Sequence, residues 1–342
     1  MRTITEAVNR ALTSLPIVIP SPAVTFRKVD AGLQEAQLEL VKRDRASRLL
    51  FTTPQMAVGE FHCTPDDPRW SHENRADEGF FVVFPGPSVV IEHVGREAAV
   101  ITRNEVVLYN QGQTYRRGLL DRSGDHCVFL MIAPGLLAEI SAGLGRPQDP
   151  EHVAFSTVVG PLPASMFLLQ RLLVRALHRL HATGPDCLRV EHALYRLVAE
   201  AARIGFEAEP GPPRARRGYT ARAHALVVER TKALLARRLH EQLSLAQIAR
   251  EMHISPFHLS RIFRAHTGFS VHDYRDQLRL RLALDRILET DVALAILGRE
   301  LGYASHSHFT DSFRRVFGLP PSAVRPSTRT MSALGEKVAA LP

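Results

Sequence analysis

Arg261 and Arg264 stand one helical turn apart in the stretch SPFHLSRIFRAHTG. A guanidinium is planar and two-pronged, so it suits oxyanions and the O6/N7 edge of guanine. If the stretch is helical, Leu259, Ile262 and Phe263 turn inward, and Pro256, Phe257, Ser260, Arg261 and Arg264 remain on or near the outer face. Arg261 then suits a base edge, Phe257 a thymine methyl and Arg264 a phosphate. A second basic stretch, HSHFTDSFRRVFG, presents His306, Ser307, Thr310, Arg314 and Arg315 in the same manner. It also carries Asp311, which repels phosphate and is expected to pair with Arg314 or Arg315. His306 and His308 point about 200° apart on a helix, which disfavours a shared metal.

Other reactive side chains are dispersed. Cys63, Cys127 and Cys187 are too few for a disulfide framework. Cys63 and Cys127, with His62, His72 and His126 near them in sequence, make a zinc or redox site only if strands bring them together; buried thiols and surface imidazoles are the simpler expectation. Tyr115, Arg116 and Arg117 suit an anionic small molecule, although pairing with Asp121 and Asp125 is the commoner fate of such arginines. There is no Ser/His/Asp set at recognisable spacing, no G-x-S-x-G elbow and no phosphate-binding glycine loop. The expectation is a protein that is not an enzyme and needs no metal or other cofactor.

The elements that would position these residues differ between the two halves of the chain. From Met56 to Ile132, short runs rich in Val, Ile, Phe and Tyr alternate with turn sequences such as TPDDP, PGP and RSGD. That texture predicts an antiparallel sandwich or barrel. After Pro163 the period becomes helical. SMFLLQRLLVRALHRLHATG and CLRVEHALYRLVAEAARIGF predict a helix pair broken at Gly184 and Pro185. The stripe Leu169, Leu172, Leu173, Ala176, Leu177 and Leu180 either closes an intramolecular core or forms a dimer seam. EPGPPRARRG reads as a linker.

Two copies of one pattern follow. Ser244 caps a helix whose apolar face is Leu245, Ile248, Ala249 and Met252; Ser255 and Pro256 open a second helix, and Gly268 ends it. About fifty residues later Leu297, Gly298 and Leu301 repeat Ile248, Ala249 and Met252. After one extra residue in the turn, Phe309, Phe313, Gly318 and Arg325 repeat Leu259, Phe263, Gly268 and Arg275. VHDYRDQLRLRLALDRILETD reads as one long helix between the copies. Two short helices about a tight turn, twice, predict paired helix-turn-helix units.

Charge agrees with this division. Residues 214–325 hold 19 Lys and Arg against 10 Asp and Glu, +9, whereas residues 1–213 hold 22 against 24. Only the basic end is expected to face a polyanion. No signal-peptide pattern opens the chain and no run of 18 apolar residues occurs, which predicts a cytoplasmic protein with reduced thiols.

The duplicated unit resembles the DNA-binding domain of the AraC/XylS family of bacterial transcription regulators, most closely in LGYASHSHFTDSFRRVFGLPPSAVR. The resemblance covers about 100 residues. It implies an α+β chain: a β-rich, cupin-like effector-sensing domain at 1–162, a helical pair at 163–209, a linker at 210–218, the DNA-binding domain at 219–325 and a tail at 326–342. The helix-turn-helix units fall at 245–266 and 293–317, with each second helix in successive major grooves of double-stranded DNA. It further implies a regulator, in the first instance an activator answering a small effector, with RNA polymerase and a second copy of the chain as partners. A cupin-type metal enzyme with an appended DNA-binding module, or a sequence-blind architectural binder, are the alternatives. Three residues depart from the family pattern. Gly298 replaces Ala at roughly 1 kcal/mol of helix propensity, His253 stands where the first turn usually has Gly, and Asp311 stands where a basic or polar residue is common. The first unit is therefore expected to dominate base recognition.

Overall fold

The computed structural model describes residues 33, 41–42, 44–77, 79–146, 149–178, 185–207 and 215–325. Leu180, Gly184, residues 210–214 of the expected linker and the tail 326–342 lie outside them.

Among the described residues ten strands form two antiparallel sheets. The larger has the order β1 (Ser47–Thr52), β2 (Met56–Cys63), β9 (Asp125–Ile132), β4 (Phe80–Pro85), β7 (Glu105–Tyr109) and β10 (Val159–Pro161). The smaller has the order β3 (Asn74–Ala76), β8 (Gln113–Leu119), β5 (Val89–His93) and β6 (Ala99–Ile101). The five apolar runs legible in the sequence are β2, β4, β5, β7 and β9. The other strands are short or polar and give no period of their own.

Helix α1 (Pro134–Gly143) follows β9, and α2 (Ala164–Leu177) and α3 (Pro185–Phe206) form the expected pair. Leu169, Leu173 and Leu177 are buried in one cluster with Val82 and Leu130 of the large sheet and with Leu284, Phe309 and Phe313 of the C-terminal region. The α2 stripe therefore closes an intramolecular core. At roughly 1.5–3 kcal/mol for each fully buried large aliphatic side chain, it is a principal tie between the two halves.

The C-terminal region consists of α4 (Ala215–Arg237), α5 (Leu245–Glu251), α6 (Pro256–Thr267), α7 (Val271–Glu289), α8 (Leu294–Glu300), α9 (His306–Phe317) and α10 (Pro321–Val324). Helix α4 starts at Ala215, four residues inside the stretch expected to be linker. Helices α4, α5, α6 and the first half of α7 share one apolar core. Helices α8, α9 and the second half of α7 join the cluster that runs back to α2 and the large sheet. Among the described residues no helix is long and apolar enough to cross a membrane.

Candidate nucleic-acid interface

The two copies share most of their local devices, although α8 has Ala293 at its N-cap, with no side-chain cap, where α5 has Ser244. Ser244 Oγ accepts the Gln247 amide in a capping box, and Ser255 and Ser305 cap α6 and α9 through the His258 and His308 amides. Gly268 and Gly318 end these helices in the left-handed conformation, at φ 77° and 76°. The matched arginines do the same work: Arg275 donates to the Leu243 carbonyl at 2.7 Å, and Arg325 donates to the Val292 carbonyl. Those two carbonyls lie at matching points, just ahead of α5 and α8. The extra residue of the second turn is real, since α5 and α6 are separated by residues 252–255 and α8 and α9 by 301–305.

The departures from the pattern have local causes. His253 sits at φ 55°, and its counterpart Gly302 at φ 82°. An L side chain resists that region, whereas glycine does not. His253→Gly is expected to stabilise the protein by about 0.5–1 kcal/mol in urea denaturation; a loss of stability would contradict this account. Gly298 faces Phe309, and a Cβ at this position would lie 3.1 Å from the Phe309 Cβ and Cγ. The first copy, with Leu259 in place of Phe309, has room for Ala249. Glycine at 298 thus accompanies the bulkier partner.

On α6, Phe257 is 81% exposed, and Pro256, Arg261 and Arg264 are exposed beside it. Ser260 is half-buried. Arg261 lies 3.4 Å from His258 Nδ1, and His258 in turn packs edge-on against His224 of α4, with ring centroids 5.0 Å apart. This histidine contact was not singled out in the sequence, because it depends on α4 crossing α6. Exposed Arg250 and Arg299, at matching places in the last turns of α5 and α8, were also passed over; only the repeat alignment marks them.

Helix α9 is less free. His306, Ser307, Asp311 and Arg314 are exposed, but the Thr310 hydroxyl is buried with no hydrogen-bond partner among the described residues. The expected pairing of Asp311 with Arg314 or Arg315 does not occur among the described residues. Arg315 instead donates to Ser312 Oγ at 3.1 Å and leans toward Asp276 of α7 at 3.9 Å. The tertiary neighbour supplies the carboxylate that the sequence placed on the helix itself.

A cavity of about 260 Å³ lies between the sheets, with Phe61, Phe81, Tyr109, Tyr115, Arg117 and Asp125 on its wall. Strand alternation turns Arg116 out to Glu73 and Arg117 in. Arg117 donates to Asp125 at 3.2 Å and to the Tyr115 hydroxyl at 2.6 Å, and it stacks over Phe61. Among the described residues its buried Nε has no partner. Burial opposes the charge of Arg117, but Tyr115 and Asp125 outweigh it and raise its pKa; burial likewise pushes the Asp125 carboxyl up. The β2–β9 ladder sends Cys63 and Cys127 inward, and His62 and His126 outward, where their rings meet at 5.2 Å. His72 is bound to the Pro68 carbonyl at 2.8 Å. The cysteines and histidines therefore do not converge.

His93 stands beside Tyr109 and Tyr115, only 2% exposed, and accepts from Gln113 at 2.9 Å. Burial first, and the Arg96 cation second, lower its pKa from 6.5 to about 4. Between those values the unfolded chain takes up a proton that the folded chain refuses, so stability falls as pH falls. From pH 7 to pH 5 the expected loss is about 2 kcal/mol. His93→Gln is expected to flatten that part of the pH–stability curve, and an unchanged slope would rule His93 out.

A family model described as a helix-turn-helix domain matches residues 248–327. The chain carries a helix-turn-helix domain. GlxA, a transcriptional regulator of Rhizobium meliloti, is 28% identical over 157 residues, which is 44% of this chain and 47% of that protein. The regulatory protein SoxS of Escherichia coli is 29% identical over 103 residues, 30% of this chain and 96% of SoxS. A transcriptional regulator structure from Chromobacterium violaceum, described as containing an AraC-type DNA-binding domain, aligns with TM-score 0.28 and 26% identity over 29% of this chain and 89% of that one. The chain spans less than half the length of the first curated relatives it matches, from 12% to 47%.

Proposed function

We propose that the protein is a sequence-specific DNA-binding transcription regulator of the bacterial cytoplasm, responsive to a small molecule held between its β-sheets. The observation that carries the reading is the duplicated unit, closed twice by an arginine on a matching carbonyl, with Arg261, Arg264 and Phe257 bare on the first reading helix. Base contact is assigned to Pro256, Phe257, Ser260 and Arg261, with Arg264 on phosphate. His306, Ser307, Arg314 and Arg315 of α9 supply the second, weaker footprint. The covered Thr310 hydroxyl and the Asp311 carboxylate, unpaired among the described residues, both favour this ranking.

The cavity suits an effector because both sheets line it and because it holds a buried Arg117 with a donor that no described residue uses. Selection from a random duplex pool with the full chain tests the main claim. Enrichment of a motif with two half-sites one helical turn apart is expected. Recovery of unrelated sequences, with one affinity for all DNA and a steep salt dependence, would overturn it in favour of a sequence-blind binder.

A further inference from the structure

We propose that strand β7 relays the state of the cavity to the first reading helix, through a buried joint in which Glu105 grips Tyr274 of α7. The idea rests on the cavity being the effector site, and it adds how that site is coupled to DNA.

Tyr109, the last residue of β7, forms part of the cavity wall, and Glu105, the first, lies roughly 13 Å away at about 3.3 Å per residue. All five residues of the strand are buried, and it is paired to β4 on one side and β10 on the other. Such a strand transmits a displacement along its length more readily than it bends.

At the far end, one Glu105 carboxylate oxygen accepts from the Thr102 amide and hydroxyl at 2.8 and 2.7 Å; the other accepts from the Tyr274 hydroxyl at 2.8 Å. The Thr102 and Tyr274 hydroxyls are also 2.8 Å apart, and Asn104 donates to the Tyr274 carbonyl at 3.0 Å. Buried Lys232 of α4 lies 3.4 Å from Glu105 and 3.3 Å from Glu229, whose carboxylate accepts the Val100 amide at 2.5 Å. The turn between β6 and β7 is thus tied to both α4 and α7. A carboxylate at this depth is costly without its donors. When Glu105 moves, Tyr274 follows or the network breaks.

Tyr274 has a second contact. Its ring meets that of Phe263 edge-on, with centroids 5.3 Å apart, and Phe263 is a fully buried inward residue of α6. The sequence of contacts Tyr109, β7, Glu105, Tyr274, Phe263 runs unbroken from cavity to reading helix. Further along α7, Arg281 donates to the Arg103 and Leu162 carbonyls, and Asp285 is paired with Arg103 and Arg171. These contacts hold the middle of α7 and provide a pivot for its first turn.

A side chain that fills the cavity stands in for an occupant. Ala76→Leu enlarges a cavity-wall residue, and Tyr274→Phe removes only the hydroxyl, keeping the ring on Phe263. Amide hydrogen exchange across α6 is read in the full chain without DNA. Ala76→Leu is expected to change α6 exchange about threefold or more, and in the double variant the change should shrink below about 1.5-fold. Tyr303→Phe, which removes a hydroxyl bonded to Asp276 on the same helix, is expected to leave the response intact. An equal α6 response with and without the Tyr274 hydroxyl overturns the proposal, and so does no α6 response. If Ala76→Leu fails to fold, Val83→Phe fills the same cavity and is read in the same way. Because no DNA is present, failure here leaves the DNA-selection result standing, and failure of that selection leaves this one standing.

Discussion

Arg281→Ala is expected to lower the stability of the full chain by about 3–5 kcal/mol, measured by urea denaturation. Arg281 is 1% exposed, and its guanidinium is divided between the carbonyls of Arg103 and Leu162, over the Phe167 ring at 5.1 Å. Burial lowers its pKa to about 10, so it remains a cation at neutral pH. Truncation leaves the buried Leu162 carbonyl and the part-buried Arg103 carbonyl without this donor, at about 1–3 kcal/mol for the buried one, and opens a void beside Phe167. The carbonyls belong to the β-sheet half and Arg281 to α7, so protease sensitivity between the halves is expected to rise together with the loss of stability. Arg281→Met, which retains the stem, is expected to cost less. A cost below about 1 kcal/mol for alanine would show that the two halves do not depend on this clamp.

Arg261→Ala is expected to weaken binding to the selected DNA by about 1–3 kcal/mol, roughly 5- to 150-fold in Kd, and to relax preference at one base pair. The side chain is exposed, with His258 Nδ1 at 3.4 Å, and no carboxylate is paired with it among the described residues. Arg264→Ala is the comparison: it should weaken all sequences alike and reduce the salt slope by about 0.9. Titration of every single-base variant of the site separates these outcomes. Equal loss on all sequences for Arg261→Ala would make Arg261 a phosphate contact and shift base reading elsewhere on α6.

What the sequence disclosed was whatever is local or repeated. Serine caps, terminal glycines and the apolar faces of α5, α6, α8 and α9 act within a few residues, and the second copy checks the first. The Arg275–Arg325 match was visible as a pair of letters, but its reason, a carbonyl 32 or 33 residues earlier in each copy, emerged only from the structure. Asp311 was misread because the nearest arginines in sequence are not the nearest claims on them; Asp276 of α7 draws Arg315 away. The α2 stripe admitted two readings because its partners, the large sheet and α9, are remote in the chain. Least legible was the joint at Glu105, whose contact with Tyr274 spans 169 residues, so that neither residue carries a local signature.

The arginine that closes the first unit has a wider consequence. Arg275 is the fifth residue of α7, the helix that spans both units, whereas Arg325 follows the short α10. Turning the bridge would pull Arg275 from the Leu243 carbonyl and unseat the loop ahead of α5, so the first unit's own closure resists a large change in the angle between α6 and α9. The DNA must then match the protein in phase. One base pair inserted between half-sites rotates one relative to the other by roughly 34°, at about 10.5 base pairs per turn. A rigid reader of this kind has little means of following that rotation, and natural sites for it should share a single spacing.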